Sequence, residues 1–192
     1  MEGSDVVLRL PQWVDGYVAG APGPYAGDQG RMAFVVGLAQ ENVRRRTGGP
    51  FGAAVFQVGT GRFMGAGVNL VESLGCSLFH AEIVAIAMAQ KAAGTYDLAA
   101  AGACELVTSV EPCAMCLGAV GWSGVKRVVC GARGTAAEAI GFDEGHKPTD
   151  WVSGLQRRGI EVVRDVLAEQ ATAVLGQYAA AGGLIYNPGS QG

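Results

Sequence analysis

Metal-binding and proton-transferring side chains gather in two short stretches, Phe79-His80-Ala81-Glu82 and Glu111-Pro112-Cys113-Ala114-Met115-Cys116. Cys113 and Cys116 are three residues apart, so on a helix their thiols lie on one face and can share an ion. Pro112 suits the first helical turn, where a missing N–H leaves nothing unpaired. The free N–H groups of such a turn favour thiolate, the form that ligates zinc. His80 supplies a third, neutral ligand. One histidine and two cysteines leave a fourth position for water, the open arrangement of a catalytic zinc site. Glu82 follows His80 by two residues, close enough to take a proton from that water. Zinc lowers the pKa of a bound water from ~15.7 towards ~7, which makes hydroxide available at neutral pH.

Cys113-x-x-Cys116 alone also serves as a redox pair or as half of a structural zinc knuckle. A redox pair follows a strand in a βαβ pattern, as this one does, but it leaves His80-x-Glu82 without a purpose. A closed structural site needs a fourth protein ligand. Cys76, in the loop before His80, is the realistic candidate, while Cys104 and Cys130 sit in or beside apolar strands and read as core.

The elements that must position these residues follow from hydrophobic periodicity. A helix begins near Asp28, read as its N-cap, with Met32, Val35, Val36, Ala39 and Val43 on one face. Arg44, Arg45 and Arg46 end it, where cations offset the helix dipole, and a solvated helix end outweighs a nucleic-acid patch. Residues 51–58 and 62–68 form a hairpin around Gly59-Thr60-Gly61. Its glycines do not match G-x-G-x-x-G, so a dinucleotide loop is rejected. Helices are expected at 81–93, 114–122, 150–158 and 167–181, and strands at 105–109, 127–131 and 160–163. Strands alternating with helices indicate a layered α/β domain, and the hairpin makes its sheet mixed. Residues 11–30 are dense in Gly and Pro, so 1–28 are expected to be an irregular surface leader before one domain over 29–192.

Composition narrows the function classes. A chain of 192 residues with 49% hydrophobic and 16% charged residues is globular and buries a core without disulfide staples. A net charge of −3 gives no broad footprint for nucleic acid or anionic membrane. No apolar run approaches the ~20 residues of a membrane span, and the first residues do not read as a signal peptide. Five cysteines, an odd number, point to a reducing, cytoplasmic compartment.

His-x-Glu followed by Pro-Cys-x-x-Cys is the signature of zinc-dependent nucleobase deaminases. Residues 49–144 resemble the cytidine deaminase-like superfamily through GGPFGAAV, Asn69, FHAE and TSVEPCAMCLGAVGW. Residues 136–144, AAEAIGFDE, are similar to the guanine deaminases within it. The resemblance implies a three-layer α/β/α fold with a central mixed five-stranded sheet flanked by helices. It implies one Zn2+ per chain on His80, Cys113 and Cys116, with Glu82 as proton shuttle. Asn69 would bind the substrate ring, and Glu144 would face the purine edge and assist loss of the amino group. Phe51, Trp122, Ala81 and Tyr186 are placed with the substrate-binding residues, Phe51 and Trp122 serving equally well as core and Tyr186 as the aromatic that closes the site. The implied reaction is hydrolysis of an aminopurine, guanine to xanthine and ammonia, in a homodimer acting on a small purine or related heterocycle. Guanosine, a cytosine-type base, tRNA adenosine and a non-catalytic zinc module are the competing readings. The sequence departs from the family in its long leader, in loop 71–79 (VESLGCSLF), and in a tail that continues past Tyr186.

Overall fold

The computed structural model describes residues 5–21, 23, 25–187 and 189; the outermost leader and tail positions lie outside the described residues. Five strands form one sheet in the order β2-β1-β3-β4-β5. They are β1 (Gly52–Gln57), β2 (Phe63–Val68), β3 (Cys104–Val110), β4 (Arg127–Ala132) and β5 (Glu161–Val163). The hairpin partners β1 and β2 are antiparallel, as are β1 and β3, whereas β3–β4 and β4–β5 are parallel. The sheet is therefore mixed, as the hairpin followed by crossover helices requires.

Alternation along the strands builds two apolar layers. Ala54, Phe56, Val107 and Val129 face one layer, with α2 (Gly27–Arg44) and α8 (Ala168–Ala180). Ala53, Val55, Leu106, Val128 and Cys130 face the other, with α4 (Ala81–Ala93), α5 (Ala114–Ser123) and α7 (Trp151–Arg157). β3 is covered on both faces and buried throughout, and its polar Glu105 is paired with Arg31 and Arg127. Cys104 and Cys130 are fully buried in this core, as their apolar surroundings suggested.

Glycine sets how closely α4 approaches the sheet. A Cβ on Gly67 would lie 2.1 Å from the Ala81 carbonyl oxygen, and one on Gly65 would lie 2.6 Å from the Ala89 nitrogen. The strand thus has two side chains missing where the helix rests, and the start of α4 is held against the end of β2. At its other end α4 stops at Gly94, whose φ of 66° closes the helix in the left-handed region.

The leader differs from the expected irregular wrap. Gln12–Gly20 is a helix, α1, with Pro11 at its N-cap. Gly16 and Gly20 lower its intrinsic propensity, but Val14 is buried, Trp13 Nε1 donates to Thr47 Oγ1 at 3.1 Å, and the Tyr17 hydroxyl donates to the Phe34 carbonyl at 3.0 Å. Tertiary contacts supply what local propensity lacks. Asp28 is not the N-cap of α2 either; Ala26 holds that position, and Asp28 accepts from Arg127 at 2.8 and 2.7 Å. Arg44 and Arg45 both pair with Glu41, which makes the arginine triplet a solvated helix end. Two short helices, α3 (Val71–Leu74) and α6 (Gly134–Glu138), lie in segments where periodicity indicated none.

Candidate active site

Two helix starts converge on one point. His80 is the N-cap of α4 and Cys113 the N-cap of α5, so Pro112 stands just outside the helix and Cys116 within its first turn. His80 Nδ1 lies 3.5 Å from Cys113 Sγ, and the ligand atoms of His80, Cys113 and Cys116 all fall within 4.8 Å of one another. An imidazole and two thiols at that spacing suit zinc, and three protein ligands leave a coordination position open. Among the described residues Cys76 is not in this group; it is half-buried and packs against the core. The convergence of His80 with both thiols argues against an isolated redox pair.

The electrostatics match a cation site. A hydrogen bond from Cys116, reinforced by His80 and opposed by burial, draws the Cys113 thiol down to about 4. The shared hydrogen bond with Cys113, together with burial, pushes Cys116 well up, so the pair retains one proton that a cation would displace. Burial works against a charged His80, but the Cys113 hydrogen bond and nearby carboxylates outweigh it and raise the imidazole.

His80 and Cys113 line a cavity of about 460 Å³, a size that suits a small heterocycle. Glu82, Glu144, Asn69, Phe51 and Tyr186 line it as well. Burial, then the charge of Cys113, raises Glu82 to about 7 against the opposing pull of His80. Burial and the same thiolate raise Glu144 to about 8, with Lys147 opposing. Two carboxylates are thus poised near neutrality in one pocket. Glu144 Oε2 and Asn69 Nδ2 are buried without a hydrogen-bond partner, one an acceptor and the other a donor. Phe51, Phe142 and Tyr186 form an aromatic wall, with Phe142 5.0 Å from Phe51 and 5.2 Å from Tyr186 between ring centroids.

Two expected substrate contacts are elsewhere. Trp122 is 86% exposed. It lies nine residues beyond Cys113, and at 3.6 residues per turn that spacing is two and a half turns, the opposite face of α5. Ala81 is fully buried beneath the start of α4, against the sheet, and does not line the cavity.

Other cavity residues escaped the sequence reading. Phe142, Asp143, Asn187 and Glu111 all line the pocket. Asn42 acts from behind: its buried Nδ2 donates to the carbonyls of Gly49 at 2.9 Å and Asn69 at 3.0 Å. It thereby fixes the Asn69 backbone beside Gly48, where a Cβ would lie 1.9 Å from the Asn69 carbonyl oxygen. A polar residue on the apolar face of α2, three residues after Ala39, was the available signal. Asn187 accepts the Asp143 N–H at 3.0 Å and donates to the Gly141 carbonyl at 2.8 Å, which brings the tail to the cavity rim.

Comparison with known proteins agrees with this geometry. Residues 27–132 match the cytidine and deoxycytidylate deaminase zinc-binding region. The chain is 43% identical over 109 residues to guanine deaminase of Bacillus subtilis (strain 168), covering 57% of this chain and 67% of that one. The crystal structure of guanine deaminase from Nitrosomonas europaea superposes with a TM-score of 0.88 at 44% identity, over 94% of this chain and 99% of that one. NE0047 in complex with 2,6-diaminopurine gives a TM-score of 0.80 at 50% identity, over 84% of this chain and 86% of that one.

Proposed function

This chain belongs to the cytidine and deoxycytidylate deaminase zinc-binding family, and from that premise we propose that it hydrolyses guanine to xanthine and ammonia. The observation that carries the reading is one cavity lined by two buried carboxylates, Glu82 and Glu144, and by His80 and Cys113 of the group that Cys116 completes. His80, Cys113 and Cys116 would hold one zinc ion per chain, and the bound ion would lower the pKa of a water so that hydroxide is available at neutral pH. Glu82, buried and raised to about 7, would hold the proton of the attacking water and deliver it to the ring nitrogen next to the carbon under attack. Glu144 accepts from the N–H edge of the purine and, being raised to about 8 by burial, can return a proton to the departing amine. Asn69 Nδ2 donates to a ring acceptor. Phe51, Phe142 and Tyr186 pack against the flat base and exclude water. Atoms balance as one guanine and one water giving one xanthine and one ammonia.

Similarity to guanine deaminases at 43% and 44% identity supports guanine over the cytosine-type and tRNA readings. We assign catalysis to residues 29–192 and place the protein in the cytoplasm, a reading supported by five free cysteines. Among the described residues, no helix is long and apolar enough to cross a membrane. A homodimer is part of the same proposal. The sequence of α5 carries no charged residue, and its outer face exposes Gly118 and Trp122, a surface suited to a second copy. A scattering mass of one chain would refute the dimer.

The test is ammonia release by the zinc-loaded protein from guanine, guanosine, cytosine, cytidine and adenine. Guanine is expected to turn over fastest. Preference for another base overturns the substrate, and no turnover of any overturns the enzyme.

A further inference from the structure

The cavity wall beside Glu144 is built around a buried carboxylate that the reaction above does not use. Glu111 follows β3 immediately before Pro112 and Cys113, and its side chain is 5% exposed. Its Oε1 accepts from Arg164 Nε at 2.6 Å, pairs with the terminal Arg164 nitrogen, and faces Arg133 at 3.6 Å. Its Oε2 accepts the Gly134 N–H at 3.1 Å. Those partners already satisfy a carboxylate. A third cation is nevertheless present, with Lys147 Nζ 3.5 Å from Oε2.

The Lys147 side chain is largely buried, and its ammonium stands over the Trp151 ring, 4.9 Å from the centroid. Burying an ammonium is costly unless negative charge faces it. The Glu111 charge is shared with two arginines, so a second carboxylate is called for, and Glu144 is placed to supply it. Lys147 Nζ and Glu144 Oε2 lie 3.1 and 3.3 Å from the point where a Cβ on Gly134 would stand, with Glu111 Oε2 at 3.7 Å. The ammonium and two carboxyl groups thus converge on the hollow left by a missing side chain. Glu144 and Lys147 also belong to one tight turn, because the Lys147 N–H donates to the Gly145 carbonyl at 2.7 Å. The Ala114 N–H donates to the Glu144 carbonyl at 3.0 Å, so this turn is tied to the start of α5 as well.

We infer that Lys147 is a positioning residue for the Glu144 carboxylate. Its ammonium, close to Glu111 and Glu144, fastens the turn that carries Glu144 to the end of β3 that carries Glu111, and through the buried Oε2 it holds the Glu144 carboxyl group at the cavity wall. This rests on the guanine-deaminating reading, in which Glu144 receives the purine edge.

Steady-state guanine turnover by zinc-loaded Lys147→Met, Lys147→Arg, Glu144→Gln and the Lys147→Met/Glu144→Gln double variant tests it. Lys147→Met is expected to lose about 10- to 100-fold in kcat/KM, the scale of a misplaced contact group, with KM raised. Bound zinc and melting temperature should stay near wild type, and Lys147→Arg should recover most of the loss. In the Glu144→Gln background Lys147→Met should change little, because its action runs through Glu144. If the methionine variant does not fold, Lys147→Gln carries the same comparisons. Wild-type constants for the charge-removing variant, or equal losses in both backgrounds, overturn the positioning role. A wild-type enzyme that ignores guanine overturns the substrate reading instead, and the same variants are then compared on the base it does turn over.

Discussion

In the proposed reaction Glu82 stands where two demands meet: it must be buried to exclude water and still exchange a proton near neutral pH. Burial raises it to about 7, which serves both. Replacing Glu82 with Gln keeps the shape and removes the exchangeable proton. Turnover should fall by about 10²–10⁴-fold, the usual contribution of general acid–base catalysis, while metal analysis still finds zinc; an active variant would dismiss the shuttle. Asn42 illustrates a residue that matters through its neighbours. Asn42→Ala leaves the buried carbonyls of Gly49 and Asn69 without their donor. The cost should be about 1–3 kcal/mol in denaturant unfolding, together with weaker substrate binding because Asn69 loses its backbone anchor. Unchanged stability would mean that water replaces the amide. The catalytic types were visible in the sequence because few chemistries need His, Glu and two Cys at those spacings. Trp122 was misplaced because a motif gives spacing but not the side of the helix that faces the ligand.

At the level of elements, the site exists because α4 and α5 begin at the same end of the sheet. Their N-caps, His80 and Cys113, come from segments separated by β3, and only the packing of both helices on one face brings them together. Gly67 holds α4 to that geometry. Gly67→Ala would drive a methyl into the Ala81 carbonyl, a backbone atom that cannot yield without moving His80. Overpacking of this kind costs about 1–3 kcal/mol, so the variant should melt earlier and retain less zinc after dialysis against a weak chelator. Normal zinc retention would show that α4 tolerates the shift. The long helices and the hairpin were legible because their apolar periods and glycine stops are local signals; the start and glycine stop of α4 match the sequence reading. The helix α1 was not, since two glycines mask it and Thr47 and Phe34, its partners, lie far along the chain.

The molecule as a whole is clamped at the side away from the pocket by charge. Arg127 joins Asp28 of α2 to Glu105 of β3 and to Glu161 of β5, and Arg31 adds a 3.0 Å pair to Glu105. The hydrogen bond from Arg127 holds Asp28 below the usual carboxylate range despite partial burial. Hydrogen bonds from Arg44 and Arg45 draw Glu41 down to about 2. Groups lowered on folding contribute stability that is fully present above their unfolded pKa and is lost as pH falls through the folded one. The contribution of Asp28 and Glu41 to the melting temperature should therefore hold from neutrality to the ordinary carboxylate range and then decline towards about pH 2. Arg127→Met should flatten the part of that decline due to Asp28; an identical profile would remove Asp28 from the account. Removing the metal acts on the other side of the molecule. Chelation should abolish turnover and lower the melting temperature, because any ligand held only by the folded state stabilises it.

By itself the sequence determined the chemistry on offer, since metal-ligand spacing, helix stops and strand alternation are local and survive without knowledge of the fold. His80, Glu82, Cys113 and Cys116, which the fold brings to one place, could be named from it, as could the layered α/β architecture that carries them. Tertiary structure decided everything that depends on which distant segments meet. It turned Trp122 outward, put Asn42 behind Asn69, brought the tail to the rim of the pocket, and set Lys147 beside Glu111 in the Gly134 hollow that Glu144 also reaches. Those relations are set by packing distances of a few ångströms between parts of the chain that no periodicity connects.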